Sequence, residues 1–344
     1  MSFPAGILSL LFVGVPCLVA SAAIEPELLR FRDGREVTAE NWAERRAEIA
    51  ATILPIEYGK MPARPETVRV ENISLERHVV WLTNVSYRVV RVTTEMDGIP
   101  VVFHLNVFCP EGDAAERRPV LVDGDGCWLY LHERVVREAT DRGFIVVRFN
   151  RCEVARDDRS SGDSTLLKWA WSYHRAIDAL LKCEPRADAA RIAITGLSRG
   201  GKTVLLAGAT DTRVWAVGET CSGCGGSAPC RDAAPGAETI ADITRQFPYW
   251  FAPGWKTWAG REKDLPFDQH FLEALIAPRK LSIRQAKSDP WANPEGGRLI
   301  AEAARAAWRL LGKEENFVFS IREGEHSHTT EDYRAFLDFL VPRH

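Results

Sequence analysis

Hydrophobic and polar positions follow two regimes along the chain. Over residues 38–58, Trp42, Ile49, Ile53 and Ile56 recur at near-helical spacing behind a Thr38-x-x-Asn41 start, which predicts a helix packed on a larger body. Residues 68–70, 79–82, 87–93 and 101–108 are β-branched and broken by polar turns, so they predict antiparallel strands forming one sheet edge. From Pro119 onward the pattern changes. Short apolar runs at 120–122, 145–147, 192–194, 216–218 and 281–283 alternate with helix-length segments, among which 169–181, 202–209 and 295–311 predict crossover helices. That alternation implies an α/β protein with a mostly parallel central sheet between two helical layers. No repeat and no Pro/Gly/Ser-rich linker divides the pattern, so residues 23–344 are expected to form a single domain.

Composition narrows the function classes. The chain has 344 residues, 46% hydrophobic and 26% charged, an ordinary globular balance, and its net charge of −3 offers no footprint for nucleic acid. The apolar run 6–19, followed by Ala20-Ser21-Ala22, has the form of an export leader over residues 1–22. Its n-region carries no Lys or Arg, so an uncleaved anchor is the alternative, although the run is short for a membrane span. After leader removal a secreted or periplasmic, monomeric protein without membrane attachment is expected. Of eight cysteines Cys17 lies in the leader, and the odd remainder cannot all pair within one chain. Cys221, Cys224 and Cys230 lie close together, but no second Cys or His pair follows at zinc-ligand spacing. Small buried thiols or a disulfide among the three are the readings, and no metal is expected.

The chemistry is carried by Gly196-Leu197-Ser198-Arg199-Gly200-Gly201, placed between the strand around 191–195 and a helix expected to begin near Lys202. A strand–turn–helix setting is the context in which G-x-S-x-G forms the nucleophile elbow of an α/β-hydrolase. The glycines let strand and helix approach closely, and the backbone N–H of Arg199 at the helix start is a candidate oxyanion donor.

A serine alcohol needs a histidine base and an acid that orients it, and in such folds the chain order is Ser, acid, His. Downstream histidines are His270, His326, His328 and His344. His326, in the loop after the strand-like segment 317–321, fits the base; His328 lies two residues on, and His270 reads as bracing a helix start. Asp289, after the strand near 281–284, fits the acid, with a turn aspartate before proline as its bland alternative. Glu219, on or just after the strand that follows the elbow helix, is the other candidate acid.

With these residues in place, the chain resembles the glucuronoyl esterases of carbohydrate esterase family 15, especially their bacterial branch. The resemblance runs from about Trp42 to the C-terminus. It rests on Gly196-Leu197-Ser198-Arg199-Gly200-Gly201-Lys202, Ser222-Gly223-Cys224-Gly225-Gly226, Tyr249-Trp250-Phe251, the segment 265–270, Ala277-Pro278-Arg279 and Asp289-Pro290-Trp291. It implies hydrolysis, through an acyl-enzyme and without a cofactor, of the ester joining 4-O-methyl-glucuronic acid on xylan to lignin alcohols. It assigns Ser198 as nucleophile, Arg199 to the oxyanion, Lys202 and Trp291 to the sugar pocket, and Glu238, with Gln246 a weaker match, to the sugar hydroxyls. Lys202 as a solvated first-turn residue and Trp291 as a loop anchor are the bland alternatives.

Two departures from the resemblance matter. Leu197 stands where relatives commonly carry Cys, and Cys221 stands where many carry a catalytic glutamate. The acid role therefore falls to Asp289, as in other bacterial members. A general carboxylesterase or acetyl-xylan esterase is the competing enzymatic reading, and a carbohydrate-binding relative without activity is the reading from another class.

Overall fold

A computed structural model of the protein describes residues 24, 26–74, 77–78, 82, 84–128 and 131–341; the leader expected at residues 1–22 lies outside them. The first helix, α1 (Trp42–Ile53), buries Trp42, Ile49 and Ile53 and runs into one wide turn, Leu54–Tyr58. It starts four residues later than the sequence pattern suggests. The Asn41 side chain accepts a hydrogen bond from the Thr38 backbone N–H at 2.8 Å and makes no cap bond to the helix.

Strands β1 (Arg69–Asn72), β2 (Arg77–His78), β3 (Val85–Met96) and β4 (Ile99–Pro110) are antiparallel, as expected. Most of the strand expected at 79–82 lies outside the described residues. β3 and β4 pair from Val85–Pro110 to Met96–Ile99 across an Asp97-Gly98 turn in which both residues have positive φ, 49° and 82°. That is the turn whose twist matches a hairpin.

The remainder alternates strands with helices, the expected crossover helices being α3, α4 and α7: β5 (Arg118–Asp123), α2 (Glu133–Asp141), β6 (Ile145–Phe149), α3 (Thr165–Cys183), β7 (Ala187–Leu197), α4 (Arg199–Thr210), β8 (Val214–Thr220), α5 (Ile240–Gln246), α6 (His270–Ala274), β9 (Lys280–Ala286), α7 (Pro294–Leu310), β10 (Phe317–Arg322) and α8 (Thr330–Leu340). One ten-stranded sheet holds them in the order β1-β3-β4-β6-β5-β7-β8-β9-β10, with β2 on β3. Strands β5 to β10 are mutually parallel, and β4 joins β6 antiparallel, so the N-terminal strands extend the same sheet.

Side-chain alternation sorts the two faces. Val120, Val122, Ile192, Ile194 and Val217 pack with α1, α3, α4, α6 and α7, while Leu121, Val146, Ala193 and Ala216 pack with α2 and α8. The result is the three-layer α/β-hydrolase architecture. Strand order reverses around β5, whose neighbours are β6 and β7, and the carboxyl ends of strands at such a switch point open a crevice. No helix among the described residues is long and apolar enough to cross a membrane.

Candidate active site

Ser198 occupies the turn between β7 and α4 with φ 58° and ψ −119°, a conformation that costs a non-glycine residue energy unless its surroundings impose it. Three hydrogen bonds impose it. Ser198 N–H donates to the Thr220 carbonyl (2.8 Å), Lys202 N–H donates to the Ser198 carbonyl (2.9 Å), and Leu197 N–H donates to Asp125 Oδ2 (3.0 Å). The glycines are sterically required: a Cβ on Gly196 would lie 2.5 Å from the Gly200 carbonyl oxygen, and one on Gly200 would fall on the Asp125 carboxylate. The helix begins at Arg199, three residues before the expected start near Lys202, so the Arg199 N–H heads it. Asp125, fully buried and ion-paired with Arg151, escaped the sequence reading. Its signal was the Gly124-Asp125-Gly126 run at the carboxyl end of β5, the switch-point strand.

His326, in the loop after β10, places Nδ1 2.6 Å from Oδ2 of Asp289, in the loop after β9. Asp289 is buried, and its Oδ1 accepts the Ala292 N–H at 3.2 Å, which fixes the carboxylate from behind. With Nδ1–H directed at Asp289, the imidazole keeps Nε2 as its basic atom. Leu197, beside the serine, packs in one small apolar cluster with Cys221, Ala286 and Ala292, joining the Ser198 turn to the Asp289 loop. The Cys221 thiol lies within 4.8 Å of the facing atoms of Asp289 and His326. Burial and the charges of Glu219 and Asp289 push this thiol upward, so it stays protonated.

The alternative residues are engaged elsewhere. Glu219 is buried, its Oε1 accepting the Ser222 N–H (2.6 Å) and the Ser227 hydroxyl (3.2 Å), and burial raises its carboxyl to about 7. His328 is buried and stacked on Tyr333 with ring centroids 3.9 Å apart, and burial lowers it to about 4. His270 heads α6 and its Nε2 sits 2.9 Å from the Pro26 carbonyl, bracing the helix start against the N-terminal segment. His344 lies outside the described residues.

Lys202, Glu238 and Trp291 form one connected group. Lys202 Nζ donates to the Ser222 carbonyl and, at 3.2 Å, to Glu238 Oε2. Trp291 Nε1 donates to Glu238 Oε1 (3.2 Å), and Glu238 N–H donates to the Trp291 carbonyl (2.9 Å). Lys202 and Glu238 are buried, whereas Trp291 is 44% exposed, an apolar ring face open to solvent. Gln246 is exposed at the last residue of α5 and is not drawn into this group. Its neighbour Phe247 instead packs under the Arg199 guanidinium, 4.9 Å from ring centroid to Cζ.

Among the three clustered cysteines, Cys224 and Cys230 bring their sulfurs to 3.6 Å, while Cys221 faces the Asp289 side.

A sequence model described as glucuronyl esterase of fungi matches residues 92–312, well over half of the chain. A carbohydrate esterase from an unknown prokaryotic organism is 35% identical over 190 residues, 51% of this chain but only 43% of that protein. The 4-O-methyl-glucuronoyl methylesterase of Schizophyllum commune is 29% identical over 328 residues, covering 88% of this chain and 77% of that one. Among solved structures, a glucuronoyl esterase from Caldicellulosiruptor kristjansonii superposes with a TM-score of 0.77 at 28% identity, covering 92% of this chain and 89% of the other. A glucuronoyl esterase from Solibacter usitatus gives 0.80 at 25% identity, with 93% and 97% covered.

Proposed function

Because this chain belongs to the glucuronyl esterase family, we propose that it is an exported serine esterase that hydrolyses 4-O-methyl-glucuronoyl esters, the links between glucuronoxylan and lignin alcohols. The observation that carries the reading is the His326–Asp289 pair at 2.6 Å, joined through one apolar cluster to a serine held at positive φ.

His326 Nε2 removes the Ser198 proton as Oγ attacks the ester carbonyl, and Asp289 holds the ring and stabilises the imidazolium that forms. The tetrahedral oxyanion is met by the Arg199 backbone N–H and its guanidinium. The imidazolium then protonates the departing alcohol, leaving the uronic acid as an ester on Ser198. Water, deprotonated by His326, attacks that ester and releases the free acid. Lys202 and Glu238 meet the sugar hydroxyls, and the exposed Trp291 ring offers a stacking face. Gln246, exposed at the end of α5, is the weaker match to a position that meets the sugar hydroxyls. Every step uses the chain's own side chains and one backbone amide, so no metal or cofactor takes part in the proposed cycle, and a single chain carries all of its groups.

The test compares benzyl glucuronate with para-nitrophenyl acetate, using the wild type and Ser198→Ala. Strong turnover of the glucuronate that vanishes with Ser198 supports the reading. Acetate cleavage alone moves the substrate to a general carboxylesterase or acetyl-xylan esterase, and no turnover of either ester removes the enzymatic reading. Export is tested by following the tagged full-length chain into the medium or periplasm, and a chain retained in the cytosol overturns it.

A further inference from the structure

The Arg199 side chain is held by three aromatic rings and one carboxylate. Its guanidinium lies 4.8 Å from the Trp250 ring centroid, 4.9 Å from Phe247 and 5.4 Å from Trp128. Phe247 and Trp250 are themselves stacked, with centroids 3.8 Å apart and planes 1° from parallel. A cation over aromatic faces is attracted by them, but rings alone leave its in-plane rotation free. That rotation is stopped by Asp157, from the loop after β6, whose Oδ2 accepts from Arg199 Nη1.

Asp157 is in turn fixed from three directions. Its Oδ1 accepts the Trp250 indole N–H at 2.9 Å and the Tyr249 hydroxyl at 3.1 Å, and its backbone carbonyl accepts the same hydroxyl at 2.9 Å. Burial and the Asp157 charge raise the Tyr249 phenol to about 12, so it remains a donor. Arg199 and Asp157 are 24% and 17% exposed, so the pair is partly shielded from water. One aromatic segment, 247–250, thus supplies both the faces that hold the cation and the donors that hold its carboxylate. A guanidinium has five N–H groups in a rigid fork, so fixing one nitrogen fixes the aim of the others.

We infer that Asp157 is a positioning residue for the oxyanion site: with Tyr249 and Trp250 it fixes the rotation of the Arg199 guanidinium, so that the remaining N–H groups face the oxygen that becomes negative at Ser198. The inference rests on the proposed serine chemistry, with Arg199 as oxyanion ligand, and it adds a residue that touches neither substrate nor reacting atoms.

The experiment is a double-mutant cycle of Asp157→Ala and Arg199→Ala. It reads kcat and KM on benzyl glucuronate and the rate at which an aryl fluorophosphonate labels Ser198. The phosphoryl oxygen of that probe stands in for the ester carbonyl oxygen, so the readout does not depend on the natural ester. Asp157→Ala should lower kcat and the labelling rate by about 10- to 100-fold with little change in KM, the scale of a misaimed catalytic group. In the Arg199→Ala background it should lower them no further, because its effect passes through Arg199. Unchanged rates in the single variant, or the full loss repeated in the Arg199→Ala background, would overturn the inference. If Asp157→Ala does not fold, Asp157→Asn decides: it keeps an acceptor for Trp250 and Tyr249 but drops the charge, so wild-type rates in it are equally fatal. A wild type that is labelled at Ser198 yet leaves benzyl glucuronate intact sinks the substrate reading and leaves the Asp157 test readable.

Discussion

Oδ2 of Asp289 lies 2.6 Å from Nδ1 of His326, whereas Glu219 turns Oε1 away to the Ser222 N–H at 2.6 Å. The two candidate acids are therefore separated by what they face: one an imidazole, the other a backbone amide and a hydroxyl.

Asp289→Asn should then reduce kcat by roughly 10³–10⁴-fold, the scale seen when a triad acid loses its charge and the histidine its tautomer. Glu219→Gln should leave kcat nearly unchanged. Steady-state kinetics of both variants on one ester decide the matter; the opposite ranking would transfer the acid role to Glu219.

The two nearby histidines are expected to fail in different ways. His326→Ala should abolish turnover in a protein that melts near the wild-type temperature. His328→Ala removes a buried ring stacked on Tyr333 and should cost about 2 kcal/mol of stability while the folded fraction keeps its kcat. Thermal melts run beside active-site titration separate the outcomes, and a stable but inactive His328→Ala protein would contradict this assignment.

Stability should fall as pH rises through neutrality. Burial raises Glu219 from its ordinary 4.5 to about 7, so between those values the native chain holds a proton that the unfolded chain has released. This contribution is fully present below about pH 4.5 and is lost as pH rises through about 7. Glu57, raised to about 8, and Asp268, raised to about 6, act in the same direction through burial, whereas His174, His270 and His328, each lowered to about 4 by burial, act oppositely below about pH 6.5. Glu219→Gln should flatten the decline in Tm between about pH 6.5 and 8 in scanning calorimetry, a tenfold difference in proton affinity between folded and unfolded chain being worth about 1.4 kcal/mol. A variant with the wild-type slope would show that Glu219 does not titrate in that range.

The Lys202–Glu238–Trp291 group should discriminate between substrates. Trp291→Ala and Glu238→Ala are expected to raise KM for benzyl glucuronate by about tenfold or more, each removing a contact worth at least ~1.4 kcal/mol. The same variants should cleave para-nitrophenyl acetate at nearly the wild-type rate. Equal losses on both esters would mean that the group braces the site and does not read the sugar.

What was legible in the sequence was local. The β-branched runs, the elbow glycines and the Ser, Asp, His order needed only short windows, and the elbow context singled out Ser198. Helices α2, α5 and α8 were not singled out, though α2 buries Val135, Val136 and Ala139 on one face and α8 buries Tyr333, Phe336, Leu337 and Leu340 behind the Thr329–Asp332 capping box; α6 was met only through the helix start at His270. Asp125 and Asp157 were invisible for another reason. Each works through a partner more than forty positions away, Leu197 for the first and Arg199 for the second, and no periodicity marks such a pair. Resemblance to a family named Lys202, Glu238 and Trp291, but their mutual contacts depend on loops after β8 and β9 meeting.

The packing of α8 bears on these loops as well. Asp123, at the end of β5, receives the Tyr333 hydroxyl of α8 at 2.7 Å, and Phe336 of the same helix presses so closely on Gly218 that a methyl group there would collide with it. The closing helix thus rests on β5 and β8, which flank the serine strand β7, and His326 lies in the loop that leads into it. Loosening α8 should therefore shift the histidine loop while the serine turn, tied to β8 and to Asp125, keeps its shape.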